Sequence, residues 1–247
     1  MPVNRHFAEG VLNIVRFNWP FFAWSAVGAG VLLIVALCTH SWIALAALIG
    51  LILLLIGVMI PLLVSFYVYD LSGLYELSFL KGLSPRKIVN LTAGFDETTE
   101  LLQKNFPEAE VLTFDFYQEE AHTEPSIRRA RKRLSTPPGT FSISTSEIPL
   151  PDGEVDLILG FLSLHEVRDI HERTRFLAEV RRTLAPQGSI HIVEHLRDLP
   201  NFLAYSIGFL HFHSRKTWHQ AFASAGLTVS HEECLTPFVR LFKLTRP

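Results

Sequence analysis

Two pairs of adjacent polar residues, each at the end of an apolar run, are the first candidates for chemistry in this chain. His165-Glu166 follows the run "VDLILGFLSL", and Glu194-His195 ends the run "SIHIVEH". Imidazoles and carboxylates are the side chains that most often move protons near neutral pH. A carboxylate beside an imidazole can fix its tautomer and raise its basicity. We therefore expect Glu194 to support His195 as a general base, with His165 as the second candidate.

An aromatic segment further along the chain adds two more imidazoles. The stretch "FLHFHS" places His211 and His213 among phenylalanines. Imidazoles within an apolar wall suit a lipophilic acceptor that has one polar reacting atom. Each histidine taken alone is more often a hydrogen-bonded packing residue than a catalyst. The predicted substrate contacts are Glu166, Asn201, His211 and His213.

A metal site is disfavoured by the spacing of these residues. Zinc could be held by His211, His213, His195 and Glu194, but their spacing has no recognised zinc pattern. The chain also lacks paired cysteines, since Cys38 and Cys234 are far apart. We predict no metal and no disulfide framework.

Alternating strands and helices from Arg86 onward must position these side chains. This alternation predicts an α/β fold, with a doubly wound, mostly parallel seven-stranded sheet and helices on both faces. Ligands of such sheets bind beyond the carboxyl ends of the strands. The predicted strands are Lys87–Leu91, Glu110–Phe114, Thr140–Ile143, Val155–Gly160, Ser189–Glu194, Leu227–Glu233 and Val239–Leu244. The predicted helices are Asp96–Asn105, Pro125–Leu134, Asp169–Leu184 and Ser214–Ala225.

Four segments of this region resemble the class I S-adenosylmethionine-dependent methyltransferases, particularly the quinone- and lipid-modifying branch. They are "IVNLTAGFDETT", "VLTFD", "SEIPLPDGEVDLILGFLSLHEV" and "FLAEVRRTLAPQGSIHIVEH". The resemblance runs from Lys87 to the end of the sequence, and motif order and spacing fit best between Leu150 and His195. It implies a Rossmann-like methyltransferase fold, S-adenosylmethionine as cofactor and methyl transfer as the reaction.

The resemblance also implies a cofactor site at the ends of the predicted strands. Gly94 matches the central glycine of the first loop, where a Cβ would collide with the cofactor. Asp115 matches the acid that holds the two ribose hydroxyls. The implied cofactor contacts are Asn90, Thr92, Gly94, Asp115, Ser144, Thr145 and Leu162.

This sequence departs from the family pattern at several of those positions. Asn90 replaces an acidic residue, and Thr92 and Asp96 replace the outer glycines of the loop. Ser144 or Thr145 stands where the family often has an Asp for the adenine amino group. One alternative is a cofactor-free sheet in which Asp96 merely caps a helix. A nicotinamide dehydrogenase is disfavoured, because the pattern G-x-G-x-x-G is absent.

Two long uncharged runs precede this region. They predict transmembrane helices over about residues 20–38 and 42–69, joined by the tight turn "CTHS". A cleaved signal peptide is the alternative for the first run, and the second run close behind it disfavours cleavage. We assign residues 1–80 to a membrane anchor, with an interfacial helix over Arg5–Phe17, and residues 81–247 to a methyltransferase-like domain. Aromatic anchors near the predicted membrane interfaces are Trp19, Trp42, Phe66, Tyr67 and Tyr69.

The charges that flank the hairpin predict its orientation. Basic residues precede it and follow it, whereas the turn carries only His40, so both ends are expected in the cytoplasm. The domain would then face the cytoplasm from a multi-pass position in the cell (inner) membrane. The basic residues are Arg5, Arg16, Lys81, Arg86 and Lys87.

The overall charge excludes a general attraction to nucleic acid, since the net charge is -2 and the pI is about 6.6. A basic helix face over Arg128–Arg133 is either solvated or in contact with anionic headgroups. We predict a membrane-anchored methyltransferase that acts on a lipophilic molecule, such as a quinone, a lipid amine or a hydrophobic thiol. The alternative is a non-catalytic, methyltransferase-like membrane scaffold. The oligomeric state stays open.

Overall fold

A computed structural model of the chain describes residues 6–119, 125–133 and 136–247. Arg5, the predicted start of the interfacial helix, and Leu134, the predicted end of a later helix, therefore lie outside the described part. The helices are α1 (Glu9–Phe17), α2 (Trp19–Cys38), α3 (Ser41–Phe66), α4 (Thr99–Asn105), α5 (Pro125–Arg133), α6 (Ile170–Thr183), α7 (Leu199–Tyr205) and α8 (Arg215–Ser224). The strands are β1 (Lys87–Thr92), β2 (Glu110–Asp115), β3 (Thr140–Ser142), β4 (Val155–Phe161), β5 (Leu184–His195), β6 (Thr228–Thr236) and β7 (Val239–Thr245).

The seven strands form one sheet in the order β3-β2-β1-β4-β5-β7-β6. All pairs are parallel except those of β7, which runs antiparallel to both of its neighbours. The predicted fold class is therefore confirmed. Strand order reverses between β1 and β4, and in this fold class that is where a ligand crevice opens.

The two faces of the sheet are covered by different parts of the chain. Alternate residues of a strand point to opposite faces, so Ile88 and Val89 of β1 belong to separate buried clusters. One cluster contains Phe176 of α6 and Trp218 of α8. The other contains the segment that follows α3, with buried residues Val68, Leu74, Leu77 and Leu80. The chain directly after the second apolar helix is thus packed onto the sheet.

Helices α2 and α3 are long and apolar enough to cross a membrane. Their side chains are largely exposed, with 0% and 6% of their most apolar windows buried, unlike a core helix of a globular domain. A π-helical turn, Tyr67–Leu71, follows α3 and leads to the sheet. Within it, both carboxylate oxygens of Asp70 accept backbone N–H bonds at the start of α1, from Gly10 at 2.7 Å and Val11 at 2.9 Å. A carboxylate at a helix N-terminus is stabilising, so α1 is held against the end of α3.

The close approach of β5 to β4 at Gly188 can be tested by substitution. A Cβ at this position would lie 2.8 Å from the Val155 carbonyl oxygen and 3.0 Å from that of Asp156, both backbone atoms that cannot turn away. We expect Gly188→Ala to lower the free energy of unfolding by about 1–3 kcal/mol, the usual cost of overpacking. Gly208→Ala is the matched control, because its Cβ would meet only Tyr205 at 3.6 Å. Urea denaturation of the detergent-solubilised protein, followed by tryptophan fluorescence, measures both; equal effects would contradict the packing described here.

Candidate active site

A buried cluster of imidazoles and carboxylates lies beyond the carboxyl ends of β4 and β5. After β4 the backbone turns at Leu162, with φ of 51°, into a short 3-10 turn, Leu164–Glu166. Glu194 at the end of β5 places one carboxylate oxygen 2.6 Å from His165 Nδ1 and accepts the His165 backbone N–H with the other at 3.2 Å. A carboxylate oxygen of Glu166 lies 3.2 Å from the Nε2 atoms of both His165 and His211. His165, Glu166 and Glu194 are all buried.

The charges of this cluster oppose the predicted role of His165 as a general base. Burial alone would lower the pKa of His165, but Glu194 and Glu166 raise it to about 10. Burial would raise the pKa of Glu166, yet hydrogen bonds from His165 and His211 hold it well below its usual range. His165 is therefore an imidazolium at neutral pH. It has no lone pair left to accept a proton from a substrate.

The predicted pairing of Glu194 with His195 is wrong. The two residues are successive in β5, and successive strand residues point to opposite faces of a sheet. Glu194 therefore reaches His165, while His195 lies in an aromatic pocket on the other side. Sequence adjacency suggested a pair that strand geometry separates.

His195 is a buried imidazole whose two nitrogens are both engaged. Its Nδ1 lies 2.9 Å from the Phe238 carbonyl oxygen, which can only accept, so Nδ1 carries the proton. The opposite nitrogen, Nε2, then accepts a hydrogen bond from the Tyr69 hydroxyl at 2.8 Å. The ring stacks on Phe212, with centroids 4.8 Å apart. Burial is the main cause that lowers the pKa of His195 to about 4, so its base form is populated at neutral pH.

Tyr69 is the site residue that the sequence analysis missed. Its position at the end of an apolar run predicts an aromatic anchor at the membrane interface. The structure instead turns its half-buried side chain toward the sheet, through the π-helical turn after α3. Turns of this kind are frequent at functional sites. The sequence contains only a weak sign of this role: Asp70, the first charged residue after the apolar run, directly follows Tyr69.

Two of the predicted substrate contacts have structural partners instead. Asn201 is fully buried; its side-chain oxygen lies 3.1 Å from His195 Nδ1 and its amide donates to the Phe238 carbonyl at 3.1 Å. His213 accepts a hydrogen bond from Arg173 at 2.8 Å and packs edge-on against Trp218. Asn201 therefore orients His195, and His213 belongs to the packing beneath the site. Of the other two predicted substrate contacts, Glu166 is buried and His211 is half-buried, and the two side chains bond to each other.

The predicted cofactor residues at the ends of β1 and β2 do come together. Asp115 is buried and accepts backbone N–H bonds from Gly94 at 2.7 Å and Tyr117 at 3.0 Å. Gly94 has φ of 83°, the left-handed region that favours glycine. Thr92 is buried and directs its hydroxyl to the Phe114 carbonyl in the neighbouring strand. The first loop thus wraps onto the carboxylate at the end of β2.

Asn90 is used within the loop. Its amide donates to Asp96 at 3.2 Å and Thr99 at 2.9 Å, and its oxygen accepts from Thr98 at 3.1 Å. Asp96 also accepts the backbone N–H groups of Thr98 and Thr99, where α4 begins. Asn90 therefore braces the loop through both its side-chain nitrogen and its side-chain oxygen.

The remaining predicted cofactor residues lie near strand ends with differing exposure. Thr145 is buried and donates to Glu172 at 2.7 Å. Ser144 is half-buried and bonds to Ser146. Leu162 is half-buried in the left-handed turn after β4, a backbone strain that is characteristic of functional sites.

Helix α5 closes the crevice above Gly94. Arg131 forms an ion pair with Asp115, and its guanidinium lies 4.9 Å above the Tyr117 ring. A Cβ on Gly94 would approach Ile127 at 2.9 Å and Arg131 at 3.0 Å, so side chains of α5 fill this space. The cavity left beside Tyr117 and Arg131 measures about 120 Å³. Ligand pockets for molecules of drug size usually measure about 300–1,000 Å³.

Comparison with known proteins supports the family resemblance of this region. Residues 89–192 match a model of the methyltransferase domain family. Solved structures of similar fold include a SAM-dependent methyltransferase from Aquifex aeolicus (20% identity, 71% of this chain and 93% of that chain, TM-score 0.53) and a protein from Pyrococcus horikoshii OT3 (16%, 71% and 88%, 0.53). The cyclase SpnF also has this fold (14%, 72% and 81%, 0.51). No curated protein sequence matches the chain significantly.

The residues present fit S-adenosylmethionine, the cofactor of a methyltransferase domain, once α5 moves. When bound, this cofactor supplies an activated methyl group. The buried Asp115 carboxylate has two acceptor oxygens for a ribose diol, and the backbone at Gly94 permits close approach. Arg131 and Ile127 fill the space beside Gly94, and Arg131 pairs with Asp115. A ribose held by Asp115 would take the place of the Arg131 guanidinium.

Arg131 should compete with the cofactor for Asp115. We expect Arg131→Ala to tighten S-adenosylmethionine binding roughly fivefold, about 1 kcal/mol, because a partly exposed ion pair no longer has to break. Arg128→Ala on the same helix is the matched control, since Arg128 pairs with the exposed Glu119. Asp115→Ala should weaken binding by about 1.5–3 kcal/mol. Isothermal titration calorimetry measures all three, and an Arg131→Ala variant with unchanged or weaker affinity would refute the competition.

The pKa of His195 can be tested through stability. The folded protein holds this pKa near 4, below the value of about 6.5 in the unfolded chain. The unfolded state therefore gains a proton first as the pH falls from 6.5 to 4, and stability is lost across that window. Relative to His195→Gln, the wild type should lose up to about 1.4 kcal/mol per pH unit. Denaturation curves at several pH values give this difference, and a constant difference would show that His195 titrates normally.

Proposed function

Because the chain carries a methyltransferase domain that uses S-adenosylmethionine, we propose that it is a membrane-anchored enzyme that methylates a lipophilic acceptor drawn from the bilayer. The observation that carries the proposal is the contact between Tyr69 and His195. This contact joins the end of an apolar helix to the candidate base. A membrane helix that ends in the site would guide an apolar acceptor toward it.

The surface beside this contact supports the proposal. Helix α7 and the 3-10 turn after it, Ser206–His211, pack near the end of α3. Among the described residues beyond 80, most exposed large apolar side chains belong to this segment. They are Leu199, Phe202, Leu203, Ile207 and Leu210, from 43% to 79% exposed. A contiguous apolar patch of this kind is typical of a membrane or ligand contact.

The residues around His195 define what the site can do to an acceptor. Asn201 and the Phe238 carbonyl hold the imidazole in the tautomer that leaves Nε2 as the acceptor nitrogen. Tyr69 bonds to that nitrogen, so a substrate hydroxyl, amine or thiol would displace the Tyr69 hydroxyl or pass its proton through it. Phe212 and Tyr205 supply apolar walls. Quinones, lipid amines and hydrophobic thiols all fit this description.

The proposed location is the cytoplasmic side of the cell (inner) membrane, with the hairpin as anchor. The basic residues that precede and follow the hairpin support this orientation. The largely exposed apolar faces of α2 and α3 support a role outside the core of the domain. A lipid partner would be encountered by diffusion in two dimensions, which raises its effective concentration.

A methyl-transfer assay tests the proposed function. The full-length protein in lipid nanodiscs receives S-adenosylmethionine labelled in its methyl group, together with separate quinone, lipid amine and hydrophobic thiol acceptors. We expect label in the organic phase for one acceptor class, with Asp115→Ala as the inactive control. Tyr69→Phe should lower turnover about 10- to 100-fold with cofactor affinity preserved, because it removes one partner of the proton-transfer pair. Activity with none of the three acceptor classes would contradict the proposal.

Cysteine labelling tests the orientation. In a background with Cys38→Ser and Cys234→Ser, both exposed positions, His40→Cys marks the turn and Ser84→Cys marks the domain side. An impermeant maleimide added to intact cells should label the first variant and should label the second only after lysis. The reverse pattern would place the domain outside the cytoplasm.

A further inference from the structure

The cluster beyond β4 contains three side chains that converge on one point. His165 Nε2 and His211 Nε2 each lie 3.2 Å from the same carboxylate oxygen of Glu166. The three ligand atoms all lie within 4.8 Å of one another. Ligand atoms around a tetrahedral zinc ion are roughly 3.3–3.5 Å apart, because metal–ligand bonds are about 2.0–2.2 Å long. Two of the three separations are therefore close to this spacing, and the two imidazole nitrogens would have to approach each other to complete the site.

Glu194 orients the cluster in the way that metal sites require. Its 2.6 Å contact with Nδ1 of His165 keeps a proton on Nδ1, so Nε2, which faces Glu166, is the nitrogen that would release its proton to bind a metal ion. Histidine ligands of metals almost always donate their other nitrogen to a carboxylate or carbonyl in this manner. The backbone N–H of His165 bonds to the same carboxylate, so the orientation is fixed twice. A histidine of simple packing origin needs no such second support.

The buried charges of the cluster also favour a bound cation. Glu166 and Glu194 are both buried, at 3% and 0% exposure, and His165 is the side chain that contacts both of them. Arg173 lies within electrostatic range of Glu194 but directs its guanidinium to His213 and the Val167 carbonyl. A divalent cation with a neutral His165 would balance both carboxylates. Buried charges are stable only when they are paired or bind metals.

From these contacts we propose that His165, Glu166 and His211 form a binding site for a first-row divalent cation, with zinc as the ion of matching ligand preference. Two imidazoles and one carboxylate are a ligand set of catalytic zinc sites, which keep an open position for an oxygen or sulfur ligand. The partly exposed side of His211 supplies the entry path. The site differs from the zinc set considered from sequence, because His195 and His213 have other partners. Its use for an acceptor rests on the proposed function, whereas cation binding itself does not.

Arg168 distinguishes this site from a plain hydrogen-bond network. Its guanidinium contacts the ring nitrogens and the carbonyl oxygen of His211, and Nδ1 must be an acceptor for that contact. A His211 bound to a metal through Nε2 carries its proton on Nδ1 and repels Arg168. The exposed arginine must then turn into solvent. Removing Arg168 should therefore favour a metal ion and would give no such gain if the cluster were only a hydrogen-bond network.

Cobalt titration of the full-length protein in detergent tests the proposal without cofactor or acceptor. Cobalt(II) chloride should bind with one equivalent per chain and produce visible absorption bands that zinc chloride abolishes. His211→Ala and Glu166→Gln should weaken binding at least tenfold, and Glu194→Gln about 10- to 100-fold through loss of orientation. Arg168→Ala should tighten binding. His219→Ala is the matched control, because His219 lies 3.0 Å from Glu232 in a separate histidine–carboxylate pair.

The results of this titration distinguish a cation site from a plain hydrogen-bond network. Visible bands that persist in His211→Ala, or that are equally lost in His219→Ala, would overturn the site, as would the absence of any stoichiometric binding. His211 is only partly buried, so its alanine variant should keep the wild-type thermal unfolding transition and remain interpretable. A positive cobalt result together with a failed methyl-transfer assay would retain the cation site and reject the proposed function.

Discussion

The candidate site depends on the alternation of side chains at the end of β5. Glu194 and His195 are neighbours in the sequence, but a pleated strand turns them to opposite faces of the sheet. Glu194 thereby meets the turn after β4, and His195 meets the chain that leaves the second apolar helix. A single strand end thus organises two chemically different centres. One is charged and rich in carboxylates, and the other is aromatic with a neutral imidazole.

Much of the fold could be predicted from the sequence because the hydrophobic periodicity and the residues that end helices and strands indicate the same elements along the chain. The seven strands appear within a few residues of their predicted bounds, with β5 longer at its start, and the apolar runs form two helices. Side-chain pairing was harder to predict. Asn201 and His213 have the polarity of substrate contacts, yet their partners come from distant segments around Phe238 and Arg173. Tyr69 was hidden for a related reason, since an aromatic residue at the end of an apolar run has the same composition whether it faces lipid or an active site.

The fold around the cofactor crevice does not by itself define the activity. The cyclase SpnF has a similar fold, so the architecture alone does not define a reaction. In this chain, the buried Asp115 carboxylate accepts the backbone N–H of Gly94, and this is the contact on which the proposed cofactor site rests. Helix α5 covers them, and the same helix reaches α1 through a contact from Arg129 to the Phe17 carbonyl. One basic helix therefore connects the covered crevice to α1, which in turn packs against α3.

The proposed function requires that the exposed apolar side chains of α7 and of the turn Ser206–His211 face lipid. Photo-crosslinking from p-benzoylphenylalanine at Leu203, in the full-length protein in nanodiscs, tests it most directly. Phe141 in β3 is the matched position, because it is also apolar and exposed, at 53% against 66% for Leu203. We predict lipid adducts by mass spectrometry at Leu203 and few or none at Phe141. Equal adduct yields at the two positions, or adducts only at Phe141, would contradict the account.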